Sequence, residues 1–174
     1  SAIQLAGAWR LPGTSALLQK HAVSTELPID TRAMALQNIG KIGGDNIVDF
    51  YQSFLHKHGN NRKLYLSAIE GLIYQDVKVA SHFTGKFLKS QLDNQSAQFL
   101  YKVFLGSEMT RKEFIRLLNG IGPELSQKKR EILRNAWFSS SLKDKVIQEL
   151  LDNLSGVNIG ELKYSSKAVK RYAK

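Results

Sequence analysis

The chain repeats itself. Leu5, Leu36, Ile69, Leu100 and Leu133 follow one another at gaps of 31, 33, 31 and 33 residues. Three positions after each stands a second small or apolar residue: Ala8, Ile39, Leu72, Val103 and Ala136. Self-similarity at a fixed period of this length marks a stacked array. A unit of about thirty residues cannot bury its apolar face alone and closes it against the next copy. Such arrays work through extended surfaces more often than through one deep pocket, so the period bears on function as well as fold.

Each unit reads as two helices. The first carries the aligned Leu or Ile, and a partner follows about ten residues on. Ala16, Leu17 and Leu18 mark the first partner helix. Ile47, Val48, Phe50, Tyr51, Phe54 and Leu55 mark the second, spaced as a core-facing helix needs. Val79, Ala80, Phe83, Phe87 and Leu88 repeat that pattern, as do Phe114, Ile115, Leu117 and Leu118, and then Val146, Ile147, Leu150, Leu151 and Leu154. No stretch sustains the period-two alternation of a half-buried strand, so an all-α fold is expected. Breaks fall at Leu11 to Thr14, Gly59 to Asn61, Gln91 to Asn94 and Gly120 to Pro123. Asp30 or Thr31 is expected to cap one helix and Asp45 the next, while Ser139 to Ser141 should open the last partner helix. Short connections imply antiparallel neighbours. Gly7, Gly40 and Gly71 sit in first helices, where each costs about 1 kcal/mol of helix propensity; close helix approach is the physical reason to keep them. The expected division is a helical repeat domain over 1–154 and a basic tail or linker over 155–174.

Composition narrows the chemistry. The absence of cysteine excludes disulfides, thiolate metal sites and a thiol nucleophile, and leaves the compartment open. No apolar run approaches the ~20 residues that span a bilayer. Ser1 leads straight into Ala2 to Ala6, a packed-helix pattern expected of a piece of a longer chain or of a mature processed form. The net charge of +10 is uneven: +1 over residues 1–60, +3 over 61–125 and +6 over 126–174. A basic C-terminal third favours anionic partners. The candidate anion-binding residues are Lys78, Lys86 and Lys89 on the third partner helix, Arg111, Lys112 and Arg116 on the fourth, and Lys128, Lys129, Arg130 and Arg134 on the helix that follows. Stacking could align them into one positive strip, although Asp76, Glu113, Glu131 and Asp144 are interspersed.

Other constellations imply no metal and no cofactor. His56 and His58 are two residues apart and point away from each other on a helix. Gly40 to Gly44 lacks the strand and the Gly-Lys-Ser/Thr ending of a phosphate loop, and Gly106 to Thr110 lacks the pattern of a nucleophile elbow. No Ser/His/Asp set is visible. Trp137 and Phe138 align with Phe104 and Leu105, which places both in the core; the alternative is insertion into a membrane interface or stacking on a base.

Residues Ala33 to Asp45, with Ala, Leu and Gly at close-packing positions and a Gly43–Gly44 turn, resemble the first helix and turn of a HEAT-like repeat. Ala2 to Pro12 resembles a preceding copy, with Trp9 where Gly40 stands, and Ala68 to Leu72 a following one. The similarity covers roughly residues 2–90 well and 95–154 loosely. More faintly, the stretch is similar to the helical domain of vitellogenin-type lipid-transfer proteins. The HEAT-like resemblance implies a right-handed α-solenoid of about five stacked antiparallel helical pairs, with second helices lining a concave surface. It implies a non-enzymatic scaffold for a protein partner, within a larger chain or assembly. The alternative expectation is an anion-binding module for nucleic acid or acidic phospholipid. A third is a HEAT-like DNA glycosylase, for which Asp76 or Glu113 would have to be the groove acid.

Overall fold

A computed structural model describes residues 13–156. The first aligned pair, Leu5 and Ala8, together with Gly7, Trp9 and most of the basic tail, lies outside the described residues. Within them the chain is all-helical, with no strand. Nine α-helices run α1 Thr14–Val23, α2 Ile29–Ile42, α3 Ile47–Lys57, α4 Arg62–Ile73, α5 Val77–Ser90, α6 Asn94–Phe104, α7 Glu108–Ile121, α8 Gln127–Phe138 and α9 Lys145–Leu154, and a 3-10 turn at Gly122–Glu124 follows α7.

Local chemistry sets most of the starts. Asn61, Asp76, Asp93, Ser107 and Asp144 stand at the N-caps of α4, α5, α6, α7 and α9, and each side chain accepts from backbone N–H groups of the first turn. Three expected boundaries move. Neither Asp30 nor Thr31 caps α2, which begins at Ile29 with Pro28 at its N-cap and no side-chain cap bond; Asp30 lies inside the first turn, where its charge suits the helix N-terminus. Asn46, not Asp45, precedes α3; it takes the left-handed conformation (φ 58°) that short polar side chains tolerate. Ser139 to Ser141 lie in the loop after α8, because Asp144 offers the stronger cap and starts α9 later.

Helices α2, α4, α6 and α8 pack in that order, and α5, α7 and α9 pack in that order. Contacts of α4 with α5, α6 with α7 and α8 with α9 join the two rows, while α1 lies on α2 and α3 on α4. Burial repeats with the sequence period. Leu36, Ile69, Leu100 and Leu133 are all fully buried, in one continuous core. In the other row Ala80 and Thr84, Phe114 and Leu118, and Ile147 and Leu151 are buried at offsets of 34 and 33 residues, and Ile47 and Tyr51 on α3 are buried 33 residues before the first of these pairs. Leu36→Ala would cost ~2–5 kcal/mol, as truncations in well-packed cores do.

Polar bonds between neighbouring units keep the same spacing. Lys63 pairs with Asp30, Arg62 with Asp93, Lys89 with Glu124 and Arg111 with Asp144, at separations of 33, 31, 35 and 33 residues. Gln37 donates to Glu70 at 2.7 Å, and the Tyr101 hydroxyl donates to the Leu133 carbonyl at 2.7 Å. Gln75 and Gln91 donate to the Gly40 and Gly59 carbonyls.

The tightest approach is where α2 crosses α4. A Cβ on Gly40 would run into the Gly71 carbonyl, and one on Gly71 would sit 2.6 Å from the Leu36 carbonyl oxygen and against the Tyr51 ring. Tyr51 itself donates to Leu36 O, and burial pushes its phenol well above the ordinary value. Gly120, near the end of α7, has nothing within 4 Å of a built Cβ. The two glycines should therefore respond oppositely. Gly71→Ala should lower stability by ~1–3 kcal/mol through overpacking, whereas Gly120→Ala should raise it by up to ~1 kcal/mol through helix propensity. Urea unfolding followed by circular dichroism measures both; a stabilised Gly71→Ala variant would contradict the close crossing.

Candidate functional site

The ten candidate cations divide by what they touch. Arg111 forks Asp144, with the second bond at 3.0 Å, and lies 3.6 Å from Glu108. Arg116 forks the buried Glu113 at 2.7 and 3.0 Å. Arg134 donates to Asp152 at 2.6 Å and lies over the Phe138 ring. Asp152 is only 2% exposed, so this contact neutralises a carboxylate removed from water. Arg130 donates to the Leu154 carbonyl at 3.0 Å, Lys129 to the Lys89 carbonyl and Lys89 to Glu124. Arg111, Arg130 and Arg134 tie α7, α8 and α9 together, while the Arg116 fork lies within α7. Of the six cations between residues 126 and 156, Lys129, Arg130 and Arg134 are thus engaged in internal contacts.

The rest face solvent. Lys78 and Lys128 have no ion-pair partner among the described residues, and Lys86 extends over the Phe83 ring at 5.0 Å. Lys112 is exposed, with only Glu108 near it, at 3.6 Å. On α5 the exposed positions are Lys78, His82, Lys86, Lys89 and Ser90, a stripe at one-turn spacing. Register carries the first position of the stripe across to α7 and α9, while the row of His82 meets the paired Arg116 and the exposed Glu149. Gly85 abuts Leu117, Lys89 reaches Glu124 and Arg111 reaches Asp144, so α5, α7 and α9 are offset by 32–35 residues. Lys78, Lys112 and the exposed Lys145 thus share one row, at offsets of 34 and 33. Lys145 was missed by clustering along the chain; the repeat offset is the signal that finds it.

The row of first helices presents a groove of about 600 Å³ between α2, α4, α6 and the start of α7. Its lining includes Gln37, Glu70, Tyr74, Phe99, Lys102 and Met109. A smaller depression of about 350 Å³ adjoins it at Gln37 and Phe99 and adds Met34 and Leu66. The floor belongs to α4, whose residues from Leu64 to Ile73 are buried except the half-buried Glu70. Tyr74 and Met109 stand at the rim, 57% and 64% exposed. No motif announces this groove; it arises where α4 lies recessed between its neighbours.

The remaining candidates have structural positions. Asp76 caps α5 through the N–H groups of Lys78 and Val79 at 2.9 and 3.0 Å. Trp137 is buried at 3% exposure, as its alignment with Phe104 predicts, but Phe138 is 52% exposed. It is the last residue of α8, faces a depression shared with Lys145 and Gln148 of α9, and contacts Arg134 instead of the core. The His56 ring lies 5.3 Å and the His82 ring 5.5 Å from that of Phe83, both edge-on, while His58 packs on Phe54. Burial, with Arg32 and Lys57 nearby, lowers the His58 pKa from its ordinary value. Among the described residues no cluster of His, Asp and Glu could hold a metal ion, and no helix is long and apolar enough to cross a membrane. Comparison with protein-family models, curated proteins and solved structures finds no match to the chain.

Two outcomes follow from the division of cations. Arg134→Met strands the buried Asp152 carboxylate and should cost ~3–5 kcal/mol, whereas Lys128→Ala should stay within ~0.5 kcal/mol of the parent; denaturant titration measures both. The Arg111 hydrogen bond, outweighing burial, holds the Asp144 carboxyl below its ordinary 3.8. Burial raises Asp93, but the bonds from Ser96 and Arg62 outweigh it and its carboxyl is also lowered. A depressed carboxylate contributes stability that is complete above the unfolded-chain pKa and vanishes as pH falls through the folded value. Melting temperature should therefore drop between about pH 5 and about pH 2, and Asp144→Asn should show a smaller drop than the parent.

Proposed function

We propose that the chain is a non-enzymatic scaffold: a right-handed, HEAT-like α-solenoid of stacked helical pairs that binds a segment of a partner protein, within a larger chain or assembly. The repeat in burial and in cross-unit hydrogen bonds supports the solenoid. One observation carries the binding role, namely the groove over α4 with Tyr74 and Met109 exposed at its rim. Large apolar side chains beside a concavity lined by Ile73, Phe99 and Val103 are what a partner's anchoring residues need. Phe99 and Val103 supply one wall, and the Gln37–Glu70 bond and Lys102 supply polar groups that could fix a ligand's direction. The fitting occupant is a short amphipathic segment that places apolar anchors at helical spacing in the groove.

Truncating exposed aromatic anchors typically removes a large share of binding energy. Affinity capture with the intact chain should retain a stoichiometric partner. Tyr74→Ala with Met109→Ala should weaken that capture by at least ~10-fold while the melting temperature stays within a few degrees. Capture unaffected by the double substitution, or a monodisperse monomer that retains nothing, would refute the groove as the binding site.

A further inference from the structure

We infer that the outer face of α5, α7 and α9 is a docking surface for the phosphodiester backbone of a nucleic acid, held by Lys78, Lys86, Lys112 and Lys145. This is a second surface, distinct from the groove and independent of whether the groove binds anything.

Charge placement is the first support. The stripe on α5 runs from Lys78 to Lys89 with an exposed cation or imidazole at every turn. Eleven residues of helix at ~1.5 Å each make it ~16 Å long, which matches about five phosphates at ~3.4 Å along one strand. The Lys78–Lys112–Lys145 row crosses it at the ~8–10 Å spacing of packed helices. The carboxylates in contact with these cations lie mainly at the margins. Asp76 is engaged as the α5 cap, Glu124 binds Lys89 at the other end, and Glu108 approaches Lys112 only to 3.6 Å. Glu113 lies buried beneath Arg116, and Glu149 is exposed on α9. The centre of the stripe, His82 and Lys86, makes no ion pair among the described residues.

Side-chain chemistry selects the ligand. Every exposed position on α5 is Lys, His or Ser and Phe83 is buried, so this helix offers neither an apolar wedge for a bilayer nor a ring for a base. The exposed apolar side chains near the other two lysines are Met109, one turn before Lys112, and Val146 and Phe138 beside Lys145. Lysine ammonium groups meet phosphates as point charges and carry no base information. The surface should therefore grip backbone and read little sequence. Its cations also differ from those clustered at the C-terminal end, where Arg130 donates to the Leu154 carbonyl and Arg134 to Asp152.

Fluorescence anisotropy with labelled duplex and single-stranded oligonucleotides, on the full chain, tests this. Neutralising four phosphates predicts an affinity that falls about 100-fold between about 50 and about 200 mM salt, with little change on scrambling the sequence. Lys78→Glu with Lys86→Glu should weaken binding at least ~10-fold, and the milder Lys78→Gln with Lys86→Gln should lower the salt slope by about two. Lys20→Glu with Lys41→Glu, at exposed positions on α1 and α2, changes net charge equally and should have the smaller effect. Circular dichroism confirms that each variant is folded. No binding at low salt overturns the inference, as does equal weakening by both reversals. Binding that survives reversal at Lys78 and Lys86 overturns it too, and points to the basic run over 163–174. Sedimentation with phosphatidylserine vesicles, but no binding to either oligonucleotide, would replace nucleic acid with a membrane.

Discussion

Where α2 crosses α4 no side chain separates the two backbones. Gly40 faces the Gly71 carbonyl, Gly71 faces the Leu36 carbonyl, and the Tyr51 hydroxyl closes the junction from α3. Three helices are fixed at one point, and each glycine pays its helix-propensity cost for contact that no larger residue permits. With α4 held there, Leu64 to Ile73 are enclosed by α2, α3, α5 and α6. The groove floor is therefore made of residues that the core already fixes. The rim, with Tyr74 just after α4 and Met109 at the start of α7, is where identity can vary without disturbing the fold.

The connections between successive units combine buried and exposed terms. Tyr101 to Leu133 is buried, and burial raises the Tyr101 phenol as it does that of Tyr51. The Lys63–Asp30 and Arg62–Asp93 pairs are exposed and contribute little each. Apolar burial carries the stability, while the exposed pairs set register. Added salt weakens the second without weakening the first.

Much of this was legible in the sequence. The buried positions Leu36, Ile69, Leu100 and Leu133, the helices that follow them and the two close-packing glycines follow from spacing, because burial recurs where the sequence does. Caps were less legible. Asp30, Thr31 and Asp45 are chemically able to cap, and choosing among neighbours depends on loop geometry that the period does not encode. The cations were visible but not their partners. Arg134 and Asp152 are 18 residues apart, within neither the helical period nor the repeat. Phe138 follows the alignment to the last residue of α8, where it faces a depression shared with α9 instead of the core. The groove had no linear signature, since three helices and one recess create it.

The crossing at Gly40 and Gly71 has no counterpart at the other end of its row. Between α6 and α8 a tyrosine ring spans the gap, with Tyr101 reaching the Leu133 carbonyl. The first-helix row is thus closest where α2 meets α4, loosest between α4 and α6, where the groove lies, and closer again between α6 and α8. A segment laid along the row finds most room at that one junction, so the uneven spacing favours a single position along an otherwise repetitive surface.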